Sequence, residues 1–123
     1  MKNIEQFYIE LKNNFKKIDE LELWNEFDWS ENGYENSFIM TKLAQEISSW
    51  NLITENYELS KFLKIIEDGF IYYNKATSSM LATDFLVTIM EIEDQEVRNE
   101  IKQIMLPKTQ LNYQNMLTFY RES

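Results

Sequence analysis

The most apolar stretch of the chain covers residues 79–93 and reads Ser79-Met80-Leu81-Ala82-Thr83-Asp84-Phe85-Leu86-Val87-Thr88-Ile89-Met90-Glu91-Ile92-Glu93. Apolar side chains cover most of the circumference of a helix with this sequence, and such helices normally lie buried at the centre of a protein. The polar residues Asp84, Thr88 and Glu91 are spaced by four and three positions, so they share one narrow stripe of that helix. The stretch therefore predicts a central helix with Phe85 and Ile89 fully buried.

Apolar residues also recur every three or four positions on both sides of this stretch, which predicts further amphipathic helices. Their predicted ranges are 3–18, 37–51, 56–74, 95–106 and 109–121. Asn36 or Ser37, Thr54 and Asp94 stand where a side-chain oxygen can cap the start of one of these helices. Pro107 is expected to stop the helix at 95–106 or to mark the turn after it.

The chain has 123 residues with only two Gly and one Pro, so it is short of the residues that tight hairpin turns require. The sequence therefore predicts an all-α fold, a single-domain bundle of five or six short antiparallel helices over residues 1–123. A polar break at residues 75–79 should separate the central helix from the one before it. Residues 19–36 should form an acidic, aromatic-bearing connector with a short helical turn around residues 21–27.

The chain contains neither Cys nor His, which excludes disulfide scaffolds, zinc fingers, cysteine nucleophiles, Ser-His-Asp triads and nearly all transition-metal sites. Twelve basic residues stand against 21 acidic ones, for a formal net charge of −9, which leaves little from which to build a nucleic-acid-binding face. No segment reads as a signal peptide, and none approaches the length of a membrane-spanning apolar run. We therefore expect a cytoplasmic protein that binds neither membranes nor nucleic acid directly and uses no cofactor or metal.

The segment Asp28-Trp29-Ser30-Glu31-Asn32-Gly33 looks like the first half of a calcium-binding loop, because oxygen ligands alternate along it and a Gly follows at the turn. The last position of such a loop carries a bidentate Glu, and here that position is Ile39. Without the residue that closes the site, the segment is predicted to be an acidic turn that does not bind calcium.

Neighbouring acids such as Glu67 and Asp68, or Asp84 and Glu91, have the chemistry of an acid–base pair. Such neighbours are expected by chance in a chain with 21 acidic residues, and no Gly-rich phosphate loop, His or activated nucleophile accompanies them. The sequence therefore predicts that the protein is not an enzyme. For the stripe that contains Asp84 it favours a structural role, as a helix edge facing water or as a salt bridge to one of three cations, Lys61, Lys64 or Arg98.

Negative charge is concentrated in residues 19–35, which hold seven acids and no Lys or Arg: Asp19, Glu20, Glu22, Glu26, Asp28, Glu31 and Glu35. Two interpretations fit this segment. Its aromatic residues can pack on the core with the acids as a solvated rim, or the segment can be an interaction surface whose aromatic side chains anchor a cationic partner that the carboxylates attract. In the second interpretation at least one Trp ring is exposed, and the partner-binding residues are Glu22, Trp24, Glu26, Asp28, Trp29 and Glu31.

Residues 55–120 resemble a family of small all-helical bacterial domains. The resemblance rests on Lys64-Ile65-Ile66-Glu67-Asp68-Gly69, on Asp84-Phe85-Leu86-Val87-Thr88-Ile89-Met90-Glu91, and on Leu106-Pro107-Lys108 with the aromatic helix that follows. Members of the family are similar in having an apolar helix with an inner Glu, a polar break, and a second apolar helix that ends in Glu before an acidic turn. The resemblance implies a small cytosolic domain of a kind often considered an immunity protein, which neutralises a cognate toxin, and it implies no catalytic residues.

Charge, aromatic residues and resemblance together predict an immunity-type binding protein. Its acidic surface would occlude a basic toxin domain, such as a nuclease, in place of the phosphates that the toxin binds. Two alternatives remain open at this point. One is a DNA-mimic-like inhibitor of another nucleic-acid enzyme, and the other is a structural or regulatory oligomeric helical domain whose acidic face only confers solubility. The sequence makes no prediction of the oligomeric state.

Overall fold

A computed structural model describes residues 1–30 and 33–122, and it confirms the predicted all-α class. Within those residues the regular structure is helical, apart from one isolated bridge between Lys2 and Tyr73. The helices are α1 (Ile4–Asn14), α2 (Lys16–Asp19), α3 (Leu23–Glu26), α4 (Asn36–Ser48), α5 (Asn56–Tyr72), α6 (Lys75–Met80), a π-helical segment (Leu81–Leu86), α7 (Val87–Met90), α8 (Gln95–Ile104) and α9 (Pro107–Glu122). The predicted helix at 3–18 is divided into α1 and α2 at Phe15, whose backbone is extended.

The helix predicted over 79–93 is displaced toward the N-terminus. α6, the π segment and α7 follow one another without interruption from residue 75 to residue 90, and we call them the central helix. The predicted polar break at 75–79 is therefore the start of this helix. The reason is Asn74, whose side chain accepts hydrogen bonds from the backbone N–H of Thr77 (3.0 Å) and from its hydroxyl (2.7 Å). With such a cap, Ser and Thr are tolerated in the first turns.

The central helix supplies the middle of the core, as its apolar sequence predicts. Phe85 and Ile89 are both fully buried, and the Phe85 ring lies 5.9 Å from the ring of Phe62 on α5. The π segment packs against α4 on one side and α9 on another. The buried apolar residues form one cluster that includes side chains from α1 to α9.

Gly69 of α5 allows the central helix and α1 to approach α5 closely. A Cβ atom at this position would lie 2.5 Å from Leu81 Cδ1 and 2.9 Å from Phe7 Cε2, both of which belong to buried side chains. Because real side chains do not tolerate such distances, a larger residue would force these helices apart.

Helix caps match the sequence predictions in part. Asp94 caps α8 as predicted, by accepting from the backbone N–H groups of Glu96 and Val97. The predicted caps Asn36, Ser37 and Thr54 are wrong, because α4 and α5 begin after Glu35 and Glu55, and neither side chain caps its helix. Asn36 instead lies in the first turn of α4, and its side chain reaches the preceding loop.

Pro107 begins α9, whereas the sequence predicted a start near residue 109. Pro is suited to the first position of a helix, since the N–H that it lacks would have no partner there. The start of α9 is held by a carboxylate from another helix. Glu67 of α5 accepts hydrogen bonds from the backbone N–H of Lys108 (2.9 Å), from the backbone N–H of Thr109 (2.8 Å) and from the Thr109 hydroxyl (2.7 Å). Its negative charge also complements the positive end of the α9 dipole.

Candidate protein-binding face

The acids at the start of the acidic connector form ion pairs with Lys residues from the preceding helices. Asp19 lies 3.6 Å from Lys12 of α1, and Glu20 lies 3.9 Å from Lys16 of α2. Glu22, Glu26 and Asp28 are exposed and form no ion pair with any residue that the structure describes. Within the described part of the connector, the exposed acids without an ion pair therefore lie at and after α3. Glu31, also predicted to contact the partner, lies outside the described residues.

Trp24 does not provide an exposed ring. Only 7% of its surface is accessible, its indole N–H donates to the carbonyl oxygen of Ile18 (2.7 Å), and its ring packs 5.4 Å from that of Tyr8. Leu23, its neighbour, is also buried. The sequence suggested that the acids would keep this segment at the surface, but one turn of helix is enough to direct Glu22 and Glu26 outward and Trp24 inward.

Trp29 is half-buried and packs on Trp24, with 5.7 Å between ring centroids. The ammonium group of Lys12 lies 4.9 Å from the Trp24 ring and 4.8 Å from the Trp29 ring. Cation–π attraction to both rings and the ion pair with Asp19 together attach the connector to α1. Of the two predicted Trp anchors, Trp29 alone keeps an accessible part.

Short hydrogen bonds order the described part of the loop after α3. The backbone N–H of Asp28 donates to Glu35 Oε2 (2.6 Å), and Asp28 Oδ1 accepts from the backbone N–H of Ser30 (3.0 Å). The Asn36 amide donates to the carbonyl oxygen of Ser30 (2.5 Å). Gly33 is required for space, because a Cβ atom there would lie 2.8 Å from the Asp28 carboxyl carbon.

Phe38 is an exposed aromatic side chain on α4. The apolar pattern of the helix predicted over 37–51 places Phe38 in one buried stripe with Ile39, Leu43 and Ile47, but 54% of its surface is exposed. Its ring lies 6.2 Å from that of the half-buried Phe27, and the two rings line a surface groove of about 340 Å³ together with Thr41, Lys42 and Gln45. The spacing contained the signal, because Ile39, Leu43 and Ile47 already define one helix face and Phe38 lies about 140° from the centre of that face.

The stripe of the central helix that contains Asp84 forms none of the predicted salt bridges. Lys61 donates to the carbonyl oxygen of Asn14 (3.2 Å), Lys64 pairs with Asp68 (2.7 Å), and Arg98 donates to the carbonyl oxygen of Ile92 (2.5 Å). Each of these three cations therefore has a partner other than Asp84.

Asp84 itself is half-buried and lies beside the hydroxyl groups of Ser37 and Thr83, of which the Thr83 hydroxyl donates to the carbonyl oxygen of Ser79 (2.9 Å). Burial raises the pKa of the Asp84 carboxyl group above the ordinary value of 3.8, although the two neighbouring hydroxyl groups oppose that change. Burial, and then the charge of Asp84, hold the pKa of the Tyr8 hydroxyl well above its usual value. That hydroxyl donates to the carbonyl oxygen of Asn36 (2.7 Å).

Among residues 1–30 and 33–122, no group of three or more Asp and Glu side chains is arranged to hold a metal ion. None of the helices in these ranges combines the length and the apolar character that crossing a membrane requires. Comparisons of the chain with models of known protein families, with curated protein sequences and with solved structures give no match. Function is therefore argued from the chain's own geometry.

Proposed function

We propose that the protein is an immunity-type binding protein that neutralises a basic toxin domain, such as a nuclease, in the cytoplasm. The observation that carries this proposal is the surface formed by Glu22, Glu26, Asp28, Phe27 and Phe38, which we call the acidic face. It combines exposed carboxylates that have no ion-pair partner in the described residues with a partly exposed aromatic groove.

The charge of the acidic face supports a cationic partner. Asp19 and Glu20 have weak electrostatic fields, because a nearby Lys residue neutralises each of them. Glu22, Glu26 and Asp28 have no such Lys partner, so their combined field extends into solvent and increases the rate at which a basic protein reaches this part of the surface. A nuclease must bind phosphate with Lys and Arg, which are the residues that such a face attracts.

The aromatic groove supports a specific contact beyond charge attraction. Large aromatic side chains that lose their remaining water contact on binding dominate the energy of many protein interfaces. Phe38 has about half its surface still to bury, and Phe27 supplies the wall against which a partner side chain would pack. Trp24, by contrast, already contributes its surface to the core.

The anchoring of the connector supports a pre-formed surface. Trp24, Trp29 and Lys12 attach it to α1, and the bonds of Asp28 with Glu35 and Ser30 order the described part of the loop. A partner would therefore bind carboxylates that are already positioned, which reduces the entropy lost on association.

The test begins with co-purification from the native host, identification of the basic protein that is retained, and measurement of its binding kinetics. The double variant Glu22→Lys/Glu26→Lys should lower the association rate about tenfold or more at low salt, and less at high salt. Phe38→Ala should instead raise the dissociation rate, by about 30-fold if it is a hot spot. Inhibition of the partner's nucleic-acid cleavage should weaken in parallel.

A matched control changes the net charge equally at another exposed site. Glu91→Lys/Glu93→Lys alters two exposed acids at and after the end of the central helix. It should leave the kinetics nearly unchanged. If this control slows association and the Glu22/Glu26 variant does not, the interface lies at the acidic turn of residues 91–100 and the acidic face is not the binding site.

A further inference from the structure

A recess of about 250 Å³ opens between the start of α4 and the first half of the central helix. Tyr34 and Ser37 line one side of it, and Ser79, Thr83 and Asp84 line the other. Pockets for drug-sized ligands are usually about 300–1,000 Å³ in volume. The recess therefore has the size for a single side chain or a comparably small group.

The polar groups around the recess can accept hydrogen bonds and carry net negative charge. Asp84 lies beside the hydroxyl groups of Ser37 and Thr83 but forms no ion pair with any described residue. A half-buried carboxylate with no cation beside it is costly, because the protein replaces only part of its hydration. A cation placed in the recess would remove that cost.

Asn36 lies at the recess and adds to its negative potential. Only 5% of its surface is exposed, and its Oδ1 atom, which is inaccessible to solvent, has no hydrogen-bond donor within the described ranges. The other polar groups of Asn36 have partners, since its Nδ2 donates to Ser30 and its carbonyl oxygen accepts from Tyr8. An acceptor dipole that no donor compensates favours positive charge nearby, as the Asp84 carboxylate does.

The backbone at the recess is unusual as well. Asp84 and Thr83 belong to the π segment, Leu81–Leu86. Such segments are rare, and they occur frequently at functional sites, where the wider turn changes the direction of a side chain. Here the wider turn is the one that carries the half-buried carboxylate.

We propose that this recess binds the guanidinium group of an arginine side chain. A planar guanidinium has five donors that point in several directions and is less strongly hydrated than an ammonium group, so it suits a carboxylate with hydroxyl oxygens beside it. The ring of Tyr34, 84% exposed at the rim, is available to cover its face. The identity of the arginine as one from the basic toxin partner rests on the proposed function, whereas binding of the guanidinium group does not.

The experiment titrates the intact protein with N-acetyl-arginine methylamide and follows backbone amide signals by NMR. We expect saturable shifts at Ser37, Thr83 and Asp84. The corresponding citrulline compound, which has the same shape without the charge, should bind at least about tenfold more weakly. Asp84→Asn should reduce the arginine affinity by a similar factor, while the control Glu91→Gln, at an exposed acid of the same helix stripe, should leave it unchanged.

A second variant covers the case in which Asp84→Asn disturbs the fold. Ser79 is exposed at the rim, so Ser79→Phe should block the recess without changing a buried group. Equal binding of the arginine and citrulline compounds, or arginine binding that survives both Asp84→Asn and Ser79→Phe, would overturn the proposal.

The two proposals fail separately. Glu22→Lys/Glu26→Lys should not change binding of the arginine compound at the recess. If the arginine compound binds as expected but changes in the acidic face do not alter the binding kinetics of any partner, the arginine site is supported and the proposed function is wrong. If partner binding depends on the acidic face but the arginine compound does not bind, the reverse holds.

Discussion

Glu67 and Asp84 are two carboxylates of the core helices, and they differ in burial and in hydrogen-bond partners. Neither forms an ion pair with a described residue. Glu67 is only 7% exposed and accepts three hydrogen bonds from the start of α9. Asp84 is half-buried beside the hydroxyl groups of Ser37 and Thr83, of which the Thr83 hydroxyl donates to the carbonyl oxygen of Ser79. A buried carboxylate surrounded by fixed donors is a structural group, whereas one that keeps an open side can accept a ligand.

The difference follows from where each side chain points. Glu67 points at the N-terminus of a helix, where backbone N–H groups have no other partner and the dipole is positive. Asp84 points sideways from the central helix, where backbone groups already bond within the helix and other side chains are the partners. Three substitutions test whether the two carboxylates differ in this way.

The largest effect is expected for Glu67→Ala. It removes the acceptor of three hydrogen bonds and leaves donors at the start of α9 without a partner, so the free energy of unfolding should fall by about 3 kcal/mol. Urea denaturation with an unchanged slope would measure it. Asp68→Ala is the matched control, since it removes the neighbouring carboxylate, which pairs only with Lys64 at the surface. An equally small loss for both variants would show that Glu67 is not a structural group.

Thr109→Val should have an intermediate effect. Valine keeps the shape of this fully buried residue but loses the hydroxyl bond to Glu67 Oε1, which should lower the free energy of unfolding by about 1–2 kcal/mol. A double-mutant cycle checks the cause, because the same change should have little effect once Glu67 is Ala. Additive losses would contradict the assignment.

Asp84→Asn should have the smallest effect at neutral pH, within about 0.5 kcal/mol of the parent protein after screening by solvent, or a slight gain. Burial raises the pKa of Asp84 in the folded state above the unfolded value of 3.8, so the folded state takes up its proton first as the pH falls. The stability of the parent protein relative to Asp84→Asn should therefore improve as the pH falls through the raised pKa toward 3.8. Urea midpoints measured for both proteins across this pH range test the prediction. A stability of the parent protein that falls relative to Asp84→Asn on acidification would contradict it.

Much of the fold could be predicted from the sequence, because burial here follows the 3.6-residue period. Phe85 and Ile89 were assigned to the core on that basis and are fully buried. The displaced start of the central helix could not be predicted from composition, since Ser and Thr read as a break until Asn74 is seen to cap them. Phe38 was misassigned because an apolar residue beside a buried stripe was counted as part of it.

The candidate site was less predictable, because it depends on contacts between separate segments. Sequence reasoning found the exposed acids Glu22 and Glu26, which local charge is enough to identify. It did not find that Lys12 would lie against both Trp24 and Trp29 and hold them to α1. The isolation of Asp84 was also missed, since each cation considered for it has another partner in three dimensions.

The attachment of the connector has a consequence for how the protein can change over generations. The residues that hold it, Trp24 and Lys12, point inward, and the acids that would contact a partner, Glu22 and Glu26, are exposed on the same short stretch of chain. Substitution of the outward positions leaves the anchoring contacts intact, so it carries little penalty for folding. Under the proposed function, the residues at these outward positions can therefore change as the partner changes, while the contacts of Trp24 and Lys12 stay the same.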